Sequence, residues 1–294
     1  MNRWILLLPL AGFAACSSDV PPPADADVGS EAAAPVETVV LDDAGCADGV
    51  FCDGFEDGQA GQPPGGDWIV DTRGSPEIEV DDHRAYGGGK SIRFTAVGKE
   101  KAYIALKGAP IFPLADNVLY GRAMMYLEAA PETKVHWTVI EATGMAPDGS
   151  HQIEYRYGGQ MPIEKGGIFV GNRMMASYET PKRDGLTTNR KSDCWQQADD
   201  RTVMPTGRWV CLAWAFDGRN NGMKLWQDGV ALDDLTVDGA GQGCLYQHDD
   251  YPWQAPIFDR INLGWESYQQ DGERSLWIDD VAIGDRPLAC PVKG

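Results

Sequence analysis

Three basic side chains stand within short, β-rich runs, where a charge is out of place unless something uses it. Arg122 lies in Leu119–Leu127 (LYGRAMMYL), His136 in Val135–Ala142 (VHWTVIEA) and Arg156 in Gln152–Tyr157 (QIEYRY). Side chains of a strand alternate between its two faces. Period two therefore groups Tyr120, Arg122, Met124 and Tyr126 on one side. It sets His136, Thr138 and Ile140 against Trp137, Val139 and Glu141, and Gln152, Glu154 and Arg156 against Ile153, Tyr155 and Tyr157. If the three strands are neighbours in one sheet, Arg122, His136 and Arg156 face one groove.

Such a set fits the cleavage of a uronic-acid polymer by β-elimination. That reaction needs the sugar carboxylate neutralised, a base for the C5 proton and an acid for the leaving oxygen. Arg122 and Arg156 would neutralise, and His136 and Tyr157 would carry protons. Gln160, just past Gly158-Gly159, would hydrogen-bond the carboxylate. Gln152, Glu154, Asn172, Glu266 and Tyr268 are the candidate substrate contacts; Trp265-Glu266-Ser267-Tyr268 ends a run with stacking rings beside a carboxylate. Plainer roles exist for each: cross-strand ion pairs for the arginines, a sheet-surface position for His136, a turn for Gln160. A glycoside hydrolase is a second enzymatic reading, drawing on Glu141, Glu154 and Glu266, but it needs two carboxylates facing one groove. No E-x-D-x-E string is present.

A second constellation pairs the two ends of the folded part, Phe55-Glu56-Asp57-Gly58 and Trp277-Ile278-Asp279-Asp280-Val281. Oxygen-rich acidic pairs suit calcium. Glu56 and one of Asp279 or Asp280 would share a structural ion if the first and last strands are adjacent; a solvated, charged strand end is the other reading.

The elements that must hold these residues are strands. No window after Cys46 keeps apolar residues at helical spacing, whereas β-rich runs follow one another with turn residues between them. Besides the three above, the clearest are 91–95, 102–106, 208–216, 223–227, 260–265 and 276–283. Asp228-Gly229 between two runs predicts a two-residue type I′ hairpin. Residues 181–193 and 237–250 are long and polar, lie near cysteines, and read as pinned surface loops. With no repeat and no second linker, the expectation is an all-β, two-sheet antiparallel β-sandwich of the jelly-roll type, one sheet flat and one curved.

Composition narrows the setting. The 294 residues carry 25 Lys plus Arg against 44 Asp plus Glu, a formal charge of -19, which repels nucleic acid. Residues 1–15 read as a signal peptide, with Arg3 before an apolar run too short to span a bilayer. Phe13-Ala14-Ala15-Cys16 is similar to a bacterial lipoprotein box, which implies lipidation of Cys16; an ordinary secretory signal is the alternative. Residues 16–45, rich in Pro, Ala, Asp and Glu, read as an acidic linker, and 46–294 as the jelly-roll domain. Ser17 after the lipidated position points to an outer-membrane lipoprotein, attached to the membrane through its lipid. The domain is expected to be a monomer whose partner is a polysaccharide. Cys46, Cys52, Cys194, Cys211, Cys244 and Cys290 give three disulfides of open pairing. Cys46 with Cys52, or either with Cys290, are among the possibilities. Zinc is set aside, since no CxxC pair occurs and the chain has four His.

The strings FCDGFEDG, YGRAMMYL, QIEYRYGGQ, WQDG and LWIDDVAIG resemble, in this order, the concanavalin-A-like jelly rolls of polysaccharide lyases, and more narrowly the glucuronan-lyase-like proteins. The resemblance covers most of Cys46 to Cys290. It implies that Arg122, His136, Arg156 and Gln160 line the concave sheet and that the strand-end acids hold calcium. No YxKAGxYxQ string is present, and VHWTVIEA lacks the Gln-Ile-His order of the related alginate lyases, so alginate is not the expected substrate. A surface protein that binds glycan, or serves as an adhesin without cleaving, is the non-enzymatic alternative.

Overall fold

The structure, a computed structural model, describes residues 49–291 apart from 109, 132–133, 166–167, 181–191, 200–201 and 246–252. The expected signal peptide, Cys16, the linker and Cys46 lie outside the described residues. All described residues belong to one compact unit, Val36–Gly294.

In chain order the strands are β1 Phe51–Asp53, β2 Ile69–Arg73, β3 Glu77–Asp81, β4 Ser91–Ala96, β5 Lys101–Lys107, β6 Val118–Leu127, β7 Trp137–Met145, β8 Gln152–Lys165 and β9 Ile168–Thr180. They continue with β10 Ser192–Gln197, β11 Trp209–Asp217, β12 Gly222–Gln227, β13 Val230–Ala231, β14 Val237–Asp238, β15 Gly243–Leu245, β16 Ile257–Ser267 and β17 Arg274–Gly284. Two short 3₁₀ turns are the other regular elements among the described residues, and no described helix is long and apolar enough to cross a membrane. One sheet has the order β13-β12-β11-β6-β17-β4-β3, with β1 added beside β17 and β14 beside β12; the other runs β15-β10-β9-β8-β7-β16-β5-β2. Every named strand pair is antiparallel, so the fold is the expected jelly-roll sandwich.

The core lies between the sheets and follows from alternation. Ile153, Tyr155 and Tyr157 of β8, Ile261, Leu263 and Trp265 of β16, and Leu212, Trp214 and Phe216 of β11 all enter it. Burying each such side chain contributes roughly 1.5–3 kcal/mol. The hairpin forms at Asp228-Gly229, both at positive φ (50° and 80°), with Gln227 paired to Val230. Parts of the two polar segments read as loops are strands instead: Cys194 and Cys244 face each other across β10 and β15 and are bonded. Cys290 is bonded to Cys211, not to the start of the domain, and Cys52 is also in a disulfide.

Candidate functional site

The outer face of the eight-stranded sheet is polar, and it gathers most of the residues named from the sequence. Alternation on β8 turns Gln152, Glu154 and Arg156 away from the core, as expected. On β7 the alternation is broken. Thr138 pairs with Gly158 and Ile140 with Tyr157, so Val139 is the extra residue of a β-bulge. The bulge reverses the faces beyond it and puts Glu141 on the polar side opposite Arg156, not beside Trp137 as strict alternation has it. Glu141 and Glu154 therefore share a face.

Arg156 is the hub. Its side chain is 2% exposed, and Nη1 donates to Tyr268 Oη at 2.7 Å while Nη2 donates to Glu179 at 2.5 Å. Glu154 lies 3.7 Å away. Burial disfavours the charge on Arg156, but Tyr268, Glu154 and Glu141 outweigh it and hold the guanidinium above its ordinary pKa. The His136 ring sits against Tyr268, centroids 4.7 Å apart, and the Thr138 hydroxyl is 3.3 Å from Tyr268 Oη. Tyr268 also donates to Glu266, which Arg73 pairs from the rim at 2.7 Å. Burial raises the Tyr268 pKa well above its ordinary value, with Glu266 and Glu141 adding to the shift against the pull of Arg156, so the phenol keeps its proton.

Beside this cluster is a hollow of about 320 Å³ whose wall includes Gln152, Glu154, Glu141, Asn262 and Arg260. Asn262 donates to Glu141 at 2.6 Å, and burial raises the Glu141 pKa. Tyr103 of β5 lies under the cluster. Its hydroxyl, like Arg156 Nε, is buried without a hydrogen-bond partner among the described residues. Tyr103 and Asn262 are readable from period two in AYIAL and RINLGW; Glu179 and Arg73 lie in strands whose patterns gave no signal.

Three sequence-derived candidates fall elsewhere. Arg122 is on β6 in the other sheet, where Nη1 donates to the Asp280 carbonyl at 2.7 Å, so it cannot share a groove with Arg156. Tyr157 points into the core, 0% exposed and stacked on Phe216 at 5.5 Å, because it alternates with Arg156 on one strand. Asn172 is buried and donates to the Pro131 carbonyl, which makes it a loop anchor. Gln160 is half-buried further along β8, and Gly158-Gly159 before it form no turn. Instead Gly158 admits a close strand approach, since a Cβ there would lie 1.8 Å from the Trp137 carbonyl oxygen.

The acidic strand ends do meet. β1 pairs with β17, and Asp280 sits at positive φ (46°) within a bulge of β17. Asp279 is buried and accepts from the backbone N–H of Tyr86, Gly87 and Asp280, so its oxygens are already engaged. Burial nevertheless pushes its pKa up to about 6. Glu56 Oε1 accepts from Gly89 and Lys90. The Asp280 carboxyl is raised by burial and by the nearby Glu56. Asp81, Asp82 and His83 also crowd together, but Asp81 is tied to Trp277 Nε1 and the His83 N–H.

Residues 55–286 match the family described as Polysacc_lyase-like: Cip1-like, core domain. Among solved structures, a cellulose-induced protein, Cip1, is similar at 18% identity over 82% of this chain and 100% of its own, with a TM-score of 0.53. An endo-β-1,4-glucuronan lyase from the fungus Trichoderma reesei follows at 11% identity, 74% and 90% coverage and a TM-score of 0.49. No curated protein matches the sequence. The family match spans both sheets, the polar cluster and the acidic strand ends, and the chain belongs to this Cip1-like family of polysaccharide-lyase-like core domains.

Proposed function

We propose that this protein binds an acidic polysaccharide across the polar face of the eight-stranded sheet and opens uronate linkages by β-elimination. The observation that carries the reading is the meeting of His136 and Arg156 at Tyr268, which supplies a base, a positive charge and a protonated phenol within one contact network. His136 takes the C5 proton, the C5 electron pair forms the C4=C5 double bond, and the C4–O bond breaks toward the leaving sugar. Tyr268 gives its proton to that oxygen and regains one from His136. Arg156, the cation held at Tyr268, offsets part of the uronate charge as it spreads in the transition state. Gln152, Glu154 and Glu266 border the same face and contact neighbouring sugars.

The strand-end acids fit calcium: Glu56 Oε2 and the Asp280 carboxylate would ligate it while Asp279 holds the 86–87 backbone in place. The ion would supply structural cohesion between β1 and β17. Export fits the two described disulfides, which form in oxidising compartments. Anchorage through a lipidated Cys16, with the domain at the outer membrane, is proposed from the sequence.

Glycan binding without cleavage is the second reading, favoured by one observation: Arg156 is already engaged by Glu179, Glu154 and Tyr268. Incubating the protein with polyglucuronate separates the two. The lyase reading expects ultraviolet absorbance from unsaturated uronate ends, reduced at least about a hundredfold in His136→Ala and Tyr268→Phe. Retention on the polymer with no absorbance would leave the binding reading, and full activity of either variant would remove its residue from the mechanism.

A further inference from the structure

The outer face of the nine-stranded sheet carries a second trough, unrelated to the Arg156 cluster. On β11 the outward side chains Ala213 and Ala215 are small, and the register sets them between β6 and β12. Ala215 lies beside Tyr120, and Ala213 beside Trp226. Two aromatic side chains thus flank a low alanine floor on diagonally opposite sides. Both rings are half-buried, and both border each of two hollows of about 460 and 600 Å³ that also share Pro287. These volumes fall within the roughly 300–1,000 Å³ of ligand sites. The outer wall is the C-terminal segment Pro287–Pro291, fixed across the sheet by the Cys211–Cys290 disulfide.

The rim selects the occupant. Asp217, Asp228 and Asp238 line the two hollows, with Lys224 as the cation between them and Asn220 as an amide. The Asp217 carboxyl is kept ionised by Asn220 and Arg219. Asp217 is paired with Arg219 and Asp228 with Arg208, and Arg122 stands beside Ala213, so among the described residues the rim is close to charge-balanced and offers no unpaired cluster of cations to a uronate chain. Aromatic rings beside a polar, charge-balanced rim match an uncharged polyhydroxyl chain, whose ring faces stack while its hydroxyls bond to rim groups such as Asp238 and Lys224. β-Linked glucose units, with equatorial hydroxyls and apolar ring faces, have this character.

We infer that Tyr120 and Trp226 form a binding site for a neutral β-linked glycan, on the opposite side of the molecule from the proposed cleavage site. One protein would thereby hold a neutral polymer with one sheet and act on an acidic polymer with the other.

Tryptophan fluorescence titration and calorimetry of the full chain with cellohexaose test this. The wild-type protein is expected to bind, and Trp226→Ala and Tyr120→Ala each to bind at least about tenfold more weakly. Trp226→Phe, which keeps a ring, should retain most of the affinity, and melting temperatures identify any variant that fails to fold. Arg156→Ala should bind cellohexaose as wild type does, so loss of the proposed lyase activity and loss of this site are separable. No binding by the folded wild-type protein, or unchanged affinity in both alanine variants, would overturn the assignment.

Discussion

Glu141 shows how one buried side chain sets a pH dependence. It is 8% exposed, accepts from Asn262, and burial lifts its pKa above the ordinary 4.5 despite the nearby Arg156. A carboxyl whose pKa is higher folded than unfolded binds its proton more tightly in the native state. Its contribution to stability is therefore full at low pH and is lost as pH rises through the folded-state pKa. Glu141→Gln keeps an oxygen acceptor for Asn262 and has nothing to titrate. Urea midpoints measured from pH 4 to pH 8 should coincide for the two proteins at the acid end, with the variant becoming the more stable as pH rises. Parallel curves would show that Glu141 ionises as freely as it does in the unfolded chain. The residue was legible as a carboxylate but not as a member of this site, because its face depends on Val139, an insertion that a strict count of two passes over.

At the scale of elements, alternation is legible wherever a strand has one wet and one dry face. β4, β5, β6, β7, β8, β11, β12, β16 and β17 each overlap a run named from the sequence. β2 and β9 gave no such signal. β2 is an edge strand with most of its residues exposed, so neither face demands apolar side chains. β9 mixes Gly171, Asn172 and Arg173 into its middle, and its pairing with β8 is interrupted by two register shifts. Bulges are likewise invisible to a pattern of period two, yet they build both candidate sites: one in β7 presents Glu141, and one in β17 presents Asp280. The second yields a prediction about the β1–β17 junction. Calcium at a hundredfold excess over its Kd would stabilise the fold by about 2.7 kcal/mol, raising Tm by about 5–10 °C for a domain of this size. Asp280→Asn should abolish that increment, and Glu56→Gln should reduce it. A melting temperature unaffected by calcium or by a chelator would show that backbone donors alone stabilise these acids.

At the scale of the whole molecule, charge governs how substrate arrives. The chain is formally -19, and on the polar face Arg73, Lys101, Lys107, Arg156 and Arg260 each have a carboxylate nearby. Asp71 alone engages both Lys101 and Arg260, and Glu266 engages Arg73. Among these described residues an acidic polymer thus meets no surplus of positive charge, and it approaches against the net field of the protein. Salt shortens the reach of that field, from about 30 Å at 0.01 M to about 8 Å at 0.15 M. The KM for polyglucuronate is therefore expected to fall severalfold over this range, the opposite of the loss of affinity seen where a cationic groove grips a polyanion. Cellohexaose carries no charge, so its affinity should stay level across the same series. A KM that rises with salt would instead mean that the arginines and lysines of the face leave their carboxylate partners for the substrate, and would make exchange of ion pairs the first step of binding.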